Sequence, residues 1–186
     1  PSKEIIKEVI RAGAYALFAA LAVTDISQYR RFYVFTKNHG YLDRINTYIK
    51  EAAKMNLEKL REDLEKEPNF KEDSESYKRR LESFAMNGFI GMSEVPCLIV
   101  IAEKRGLPSV ERQSLAHVLE NMWLKVAAMD LGMHLFSIIE SLSSSEEFSK
   151  LLKLEHDEYT YTGCVIGYPV TKPETKEDIH VDKSIT

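Results

Sequence analysis

Residues 113–137, Gln-Ser-Leu-Ala-His-Val-Leu-Glu-Asn-Met-Trp-Leu-Lys-Val-Ala-Ala-Met-Asp-Leu-Gly-Met-His-Leu-Phe-Ser, hold the decisive pattern of this chain. Leu115, Val118, Leu119, Met122, Val126 and Met129 recur at three- and four-residue intervals, the period of an α-helix. Gly106 and Pro108 make a turn ahead of them and Ser109 is placed to cap, so the spacing predicts a helix over Val110–Asp130. Its apolar set is broad enough for burial nearly all round. Gly132 ends it, and Leu135–Ile139 reads as a short strand. Gln113 and Asn121 are two of the few polar groups in the unit. A buried helix that leaves through glycine into an apolar strand can lay backbone N–H and C=O groups along the edge of a flat ring. Spacing alone favours a plainer reading, an ordinary core helix with two satisfied amides.

Upstream, Ser2 can cap a helix whose apolar positions run through Ile5, Ile6, Val9, Ile10, Ala14, Leu17, Phe18 and Leu21. Phe32-Tyr33-Val34-Phe35 is aromatic and β-branched and is bounded by Asn38 and Gly40, so a strand is expected there. Leu42, Ile45, Ile49, Ala52, Ala53, Leu57, Leu60 and Leu64 carry a second amphipathic helix, stopped by Pro68. The polar, charged stretch 65–76 is a hinge or lid candidate before helix resumes over Tyr77–Phe84. Val95–Ala102 is a continuous apolar run, the kind of strand covered on both faces and central in a sheet. Ser145 can cap a helix through Leu152, Thr162–Tyr168 is another buried strand closed by Pro169, and a polar tail follows from Thr171. Helices outnumber strands, and the fold class is α+β with a central, mostly antiparallel sheet flanked by helices.

The chain has 186 residues and is read as one domain over 1–186, with a net charge of −4 from 25 basic and 29 acidic residues. No broad basic field exists, so no nucleic-acid partner is expected. The run Lys78-Arg79-Arg80, flanked by Glu75 and Glu82, reads as a solvated helix face. Cys97 and Cys164 sit in apolar runs and read as packing thiols of a reducing compartment. The longest apolar segment, around Ala12–Val23, falls short of the roughly 18 residues a membrane span needs. Together these point to a cytoplasmic protein with no membrane partner.

Motifs of catalysis are scarce. The sequence holds no glycine-rich dinucleotide or triphosphate loop, no Gly-x-Ser-x-Gly elbow and no His-Glu-x-x-His. Its histidines, His39, His117, His134, His156 and His180, lack metal-ligand spacing, and no metal site is expected. His117 reads as a hydrogen-bonded core or interface group.

In order and spacing, several pieces resemble the nitroreductase family of FMN-dependent flavoproteins, over nearly the whole chain. The Gln113–Ser137 unit is similar to the family's helix that runs into a Leu-Gly-Leu-Gly-type turn beside the flavin. Ala16-Leu17-Phe18-Ala19-Ala20 stands where its first helix ends, Gln28–Phe35 resembles its Gln-Pro-Trp-Arg-Phe strand, Val95-Pro96 opens its central strand, and Ile166-Gly167-Tyr168-Pro169 resembles its Ile-Gly-Tyr-Pro ending. Departures are visible too. Leu17 stands in place of Pro and Phe18 in place of Ser, and the family's Arg-Arg-Ser-x-Arg segment, which grips the FMN phosphate, belongs ahead of Pro1-Ser2.

The resemblance implies an intertwined homodimer with FMN at the interface. Its ring would rest on the backbone of Leu135, Phe136, Ser137 and Ile138 and be flanked by Leu17 and Phe18 of the partner subunit. Gln28 and Gln113 are further cofactor-binding candidates, and Lys172 falls in the region that supplies a late phosphate-binding cation. The tail 171–186 would pack on the partner. The implied reaction passes electrons from a reduced nicotinamide, NADH or NADPH, to a nitro, quinone or similar small acceptor. Because the flavin carries the chemistry, no acid/base constellation is required of the protein. Two other classes stay open: a protein of the same fold that binds flavin or another flat ligand without turnover, and a helical interaction module in which Val110–Asp130 forms an oligomer interface.

Overall fold

The computed structural model describes residues 1–17, 29–37 and 40–171. Ser2 caps α1 (Lys3–Ala14), its hydroxyl accepting from the Ile5 N–H at 3.3 Å, and Ile6, Val9 and Gly13 form the buried face. The helix ends at Ala14, short of Leu17; Phe18 and Leu21, which the apolar spacing also assigned to it, lie outside the described residues. Arg30 supplies the reason: its guanidinium donates to the carbonyls of Gly13 and Ala16, acceptors that a continuing helix would use internally.

Four strands form one antiparallel sheet in the order β1 (Arg30–Phe35), β2 (Leu98–Lys104), β4 (Tyr159–Gly167), β3 (Gly132–Leu135). β2 lies between β1 and β4 and is buried from Leu98 to Glu103, as its unbroken apolar run requires. Alternate residues of a strand serve opposite faces. Leu98, Val100 and Ala102 pack with Leu42, Ile45, Ile49, Phe148 and Tyr161 on one side, while Ile99 and Ile101 meet Ile6, Val9, Val118, Met122, Cys164 and Ile166 on the other. The first layer is covered by α2 (Tyr41–Lys66) and by α5 (Glu146–Leu152), which Ser145 caps by accepting from Phe148 N–H at 3.2 Å. The second is covered by α1 and α4 (Glu111–Ala127).

The hinge candidate 65–76 is helical on both sides of a short break. A 3₁₀ turn at Pro68–Phe70 separates α2 from α3 (Lys71–Asn87). Glu72 and Asp73 fall in the first turn of α3, where carboxylates favour the helix N-terminus, so charge density here starts a helix.

α4 departs from expectation in three ways. Ser109 does not cap it; the Ser109 hydroxyl donates to Glu111 Oε2 at 2.8 Å, while the Gly106 N–H donates to the other oxygen of the same carboxylate. Burial alone would raise the pKa of Glu111, but these two donors hold the carboxyl below the usual carboxylate range. Burial is confined to one face, with Gln113, Ala116, His117, Glu120, Trp123, Leu124 and Ala127 exposed, because α1 covers only one side of the helix. The exit is also earlier: Asp130 takes a left-handed conformation (φ 53°) and Leu131 N–H returns to the Val126 carbonyl at 3.1 Å. The strand therefore begins at Gly132, and the Leu135–Ile139 stretch expected as strand turns instead into a 3₁₀ helix over Ser137–Ser144.

Gly88 closes α3 with φ 65° and ψ −154°, a backbone state open only to glycine, and a β-carbon there would collide with the side-chain amide of Asn46. That amide oxygen accepts the Phe89 N–H at 2.7 Å. Gly88→Ala is expected to cost about 2–4 kcal/mol, the sum of strain and a disturbed hydrogen bond. Urea unfolding of the variant checks this, and a loss below about 1 kcal/mol would show that the turn relaxes freely.

Candidate functional site

Among the described residues β3 is an edge strand, and register decides which of its groups are free. Phe136 N–H pairs inward with the Gly163 carbonyl at 2.8 Å, so the alternate residues Met133 and Leu135 turn their backbone groups away from β4. The chain then enters the 3₁₀ helix, whose opening N–H groups at Ser137 and Ile138 have no acceptor among the described residues. Leu135, Phe136, Ser137 and Ile138 all line one cleft of about 670 Å³, a size that suits a small organic ligand.

The opposite wall comes from α3. Tyr77, Arg80, Leu81 and Phe84 fall three and four residues apart, so they form one stripe along the helix, and all four line the cleft. Phe89 closes the end, packed edge-on against Phe136 with ring centroids 4.6 Å apart. Asn56 of α2 donates to Ser141 Oγ at 2.8 Å and ties the 3₁₀ helix to the helical layer. At the rim Arg112 forms an ion pair with Glu140. The result is a slot with one wall of backbone and 3₁₀ helix and one of aromatic side chains.

The four ring-binding candidates from Leu135 to Ile138 are thus brought together. Gln113 is exposed and lines a neighbouring recess of about 490 Å³, which shares Arg112 and Glu140 with the main cleft. Leu17 stands apart from both, past the end of α1 and 79% exposed. Phe18, Gln28 and Lys172 lie outside the described residues. Asn121 is a satisfied amide, donating to the Ala12 carbonyl at 3.3 Å, as the core-helix reading expects. His117 is exposed, not a core group. His156 contacts only Asp157 at 3.2 Å on the surface, and no metal-binding cluster occurs among the described residues. Burial pushes the thiol of Cys97 up to about 11 and that of Cys164 up to about 12, so both remain protonated packing groups.

The sequence reading missed Arg30, a heavily bonded residue among those described. Arg30 opens β1 directly opposite Glu103 of β2, and its Nε donates to Glu103 Oε2 at 2.9 Å. The same guanidinium reaches Ser114 Oγ at 2.9 Å, the carbonyls of Gly13 and Ala16 at 3.4 and 3.0 Å, and the Leu17 carbonyl at 3.4 Å. Glu103 is wholly buried and its Oε1 has no hydrogen-bond partner among the described residues. Burial raises its pKa above the ordinary glutamate value despite the cation and the Ser114 hydroxyl beside it. This cluster clamps the end of α1 to β1, β2 and α4, and so fixes where the chain departs at Leu17. A Glu continuing the inward alternation Ile99, Ile101, Glu103 was the available signal, since a buried acid demands a cation opposite. Arg80 was the other omission. Lys78 pairs with Glu75 at 3.7 Å on the surface, and Arg80, itself open to solvent, also lines the cleft.

Comparison with known proteins places this geometry. A model of the Nitroreductase family matches residues 1–168. Similar solved structures include a nitroreductase with bound FMN from Bacteroides fragilis, 16% identical with a TM-score of 0.66, covering 100% of this chain and 87% of that one. A nitroreductase with bound FMN from Desulfitobacterium hafniense is 19% identical, with a TM-score of 0.61 and coverage of 98% and 88%. An iodotyrosine deiodinase bound to FMN and 3-iodo-L-tyrosine is 16% identical, with a TM-score of 0.62 and coverage of 100% and 89%. At these identities the likeness concerns the fold. No curated protein matches the chain, and no described helix is long and apolar enough to cross a membrane.

Proposed function

The chain belongs to the nitroreductase family, and from that premise we propose that it is an FMN-dependent oxidoreductase, passing electrons from a reduced nicotinamide to a nitro, quinone or similar small acceptor. The observation that carries the proposal is the slot floored by Leu135–Ile138, where the backbone of an edge strand and two unpaired N–H groups meet a facing aromatic wall. A flat heteroaromatic ring needs such a site: donors along one edge and apolar surface against a face. FMN, when bound, accepts a hydride from the nicotinamide and yields two electrons to the acceptor.

The protein's own part is binding and electrostatics. The N–H groups of Ser137 and Ile138 suit the negative charge that a reduced ring gathers, since preorganised donors in a partly dry site stabilise developing charge. Phe84, Phe89 and Phe136 exclude water from the slot. Leu17 of the partner subunit and the partner's Phe18 are proposed to complete the ring site in a homodimer, with Gln28 and Gln113 at its polar edge and Lys172 near the phosphate. The exposed position of Leu17, away from its own cleft, is consistent with service to a neighbouring subunit. A single domain over 1–186 with its tail on the partner, working in the cytoplasm, belongs to the same proposal.

Visible absorption of the purified full-length protein, taken before and after adding FMN, tests the cofactor. Bound flavin and consumption of one reduced nicotinamide per quinone reduced are the expected results. Failure to take up FMN overturns the proposal, and flavin bound without turnover would leave a flavin-binding protein of this fold.

A further inference from the structure

Resting on that reading of the cleft, we infer that its acceptor is an aromatic ring bearing a negative charge, a benzoate-like carboxylate, with the charge held by Arg80. Charge makes the first case. The chain as a whole carries −4, yet the cleft is lined by two guanidinium groups, Arg80 and Arg112, against one carboxylate, Glu140. Glu140 is already engaged by Arg112. Arg80 has no acidic partner among the described residues, although Lys78 two positions away has Glu75. An excess cation in a concave site of an acidic protein attracts and retains anions.

Placement makes the second case. Arg80 sits between Tyr77 and Phe84 on one stripe of α3, so the cation, itself exposed, lines the cleft beside aromatic side chains. A ligand satisfying both must join ring and charge within a few bonds. A carboxylate on an aromatic ring does so, and a guanidinium meets it with two parallel N–H donors. The cofactor phosphate is the other anion to weigh. It hangs from a ribityl chain, remote from its own ring, and so does not call for a cation set among aromatic side chains.

The test uses the FMN-loaded protein and two ligands of one shape, 4-nitrobenzoate and 4-nitrobenzamide, with Kd read from perturbation of the flavin absorption. The carboxylate is expected to bind about tenfold more tightly, the scale of one charge-assisted contact at a partly wet site. Arg80→Gln should bring the two within about twofold of each other, and Arg80→Lys should keep part of the preference. Should Arg80→Gln prove poorly folded, the same ratio measured on the unsubstituted protein in 1 M salt replaces it. There the Debye length is about 3 Å and the preference should fall at least threefold. Equal affinity for acid and amide in the unsubstituted protein overturns the inference and leaves the flavin reading standing. Weaker binding of FMN but not of riboflavin in Arg80→Gln assigns the cation to the cofactor phosphate and also overturns it. A protein that takes up no flavin removes both.

Discussion

Arg30→Met is expected to destabilise the chain by about 3–5 kcal/mol, the penalty for stranding a buried charge. For a chain of this length that is a fall in Tm on the order of 10 °C. Methionine keeps most of the volume, so the loss is electrostatic. Glu103 remains, wholly buried, with one oxygen already unpartnered and the other now deprived of its 2.9 Å donor. The Ala16 carbonyl loses its donor in the same step, while those of Gly13 and Leu17 lose one of two and keep the Ala16 N–H and the Ser114 hydroxyl. The penalty should depend on pH with a definite sign. Burial already raises the Glu103 pKa, and the cation that opposes the rise is gone. The folded variant therefore binds a proton that the unfolded chain, with an ordinary glutamate, releases at lower pH. Stability then falls as pH rises from the unfolded value through the raised folded one. The gap between variant and parent should be smaller at pH 5 than at pH 8, as read by thermal unfolding at both. The double substitution Arg30→Met with Glu103→Leu should recover most of the loss, since an apolar pair often replaces a buried ion pair at little cost. A gap that is flat with pH, or a double variant no better than the single, would mean that Arg30 acts mainly by packing.

That cluster also marks where reading by residue order reaches its limit. Periods of two and of three to four residues are local, and they located β1, β2, β4 and most helix spans within a few residues. Arg30 and Glu103 are 73 positions apart, and only strand register makes them opposite. The early stop of α1 has the same origin, because the guanidinium that takes its last carbonyls arrives from β1. α4 shows a different failure. Trp123 and Leu124 lengthen its apolar tally and suggest burial all round, but burial depends on how many neighbours surround a helix. Among the described residues of one chain α4 packs mainly against the sheet and α1. The site was legible in part for a related reason. The Leu135–Ile138 segment is contiguous, so the family resemblance could name it as a candidate, whereas the stripe Tyr77, Arg80, Phe84 meets it only through the fold, and its arginine was hidden in a run of three cations.

The exposed face of α4 gives the second large expected effect: Trp123→Asp should turn the proposed homodimer into a monomer. Trp123 is 50% exposed and Leu124 62%, and Tyr15 and Leu17 near the end of α1 are about 80% exposed. A tryptophan half open to water on an otherwise well-packed helix is the kind of residue that anchors an interface. In a two-fold dimer each position counts twice, so a loss of about 2–4 kcal/mol per side becomes about 4–8 kcal/mol, or at least a thousandfold in the dissociation constant. Stability of the isolated chain should change little, because an exposed side chain contributes little to the monomer's core. Light scattering at micromolar concentration gives the first readout and FMN titration the second. If Leu17 and Phe18 of the partner subunit complete the ring site, the monomer should bind FMN at least a hundredfold more weakly, although every Leu135–Ile138 contact is intact. A monomer that keeps its flavin affinity would place the whole ring site within one subunit. A variant that remains dimeric would move the interface off α4, and the exposed tryptophan would then need another partner to explain it.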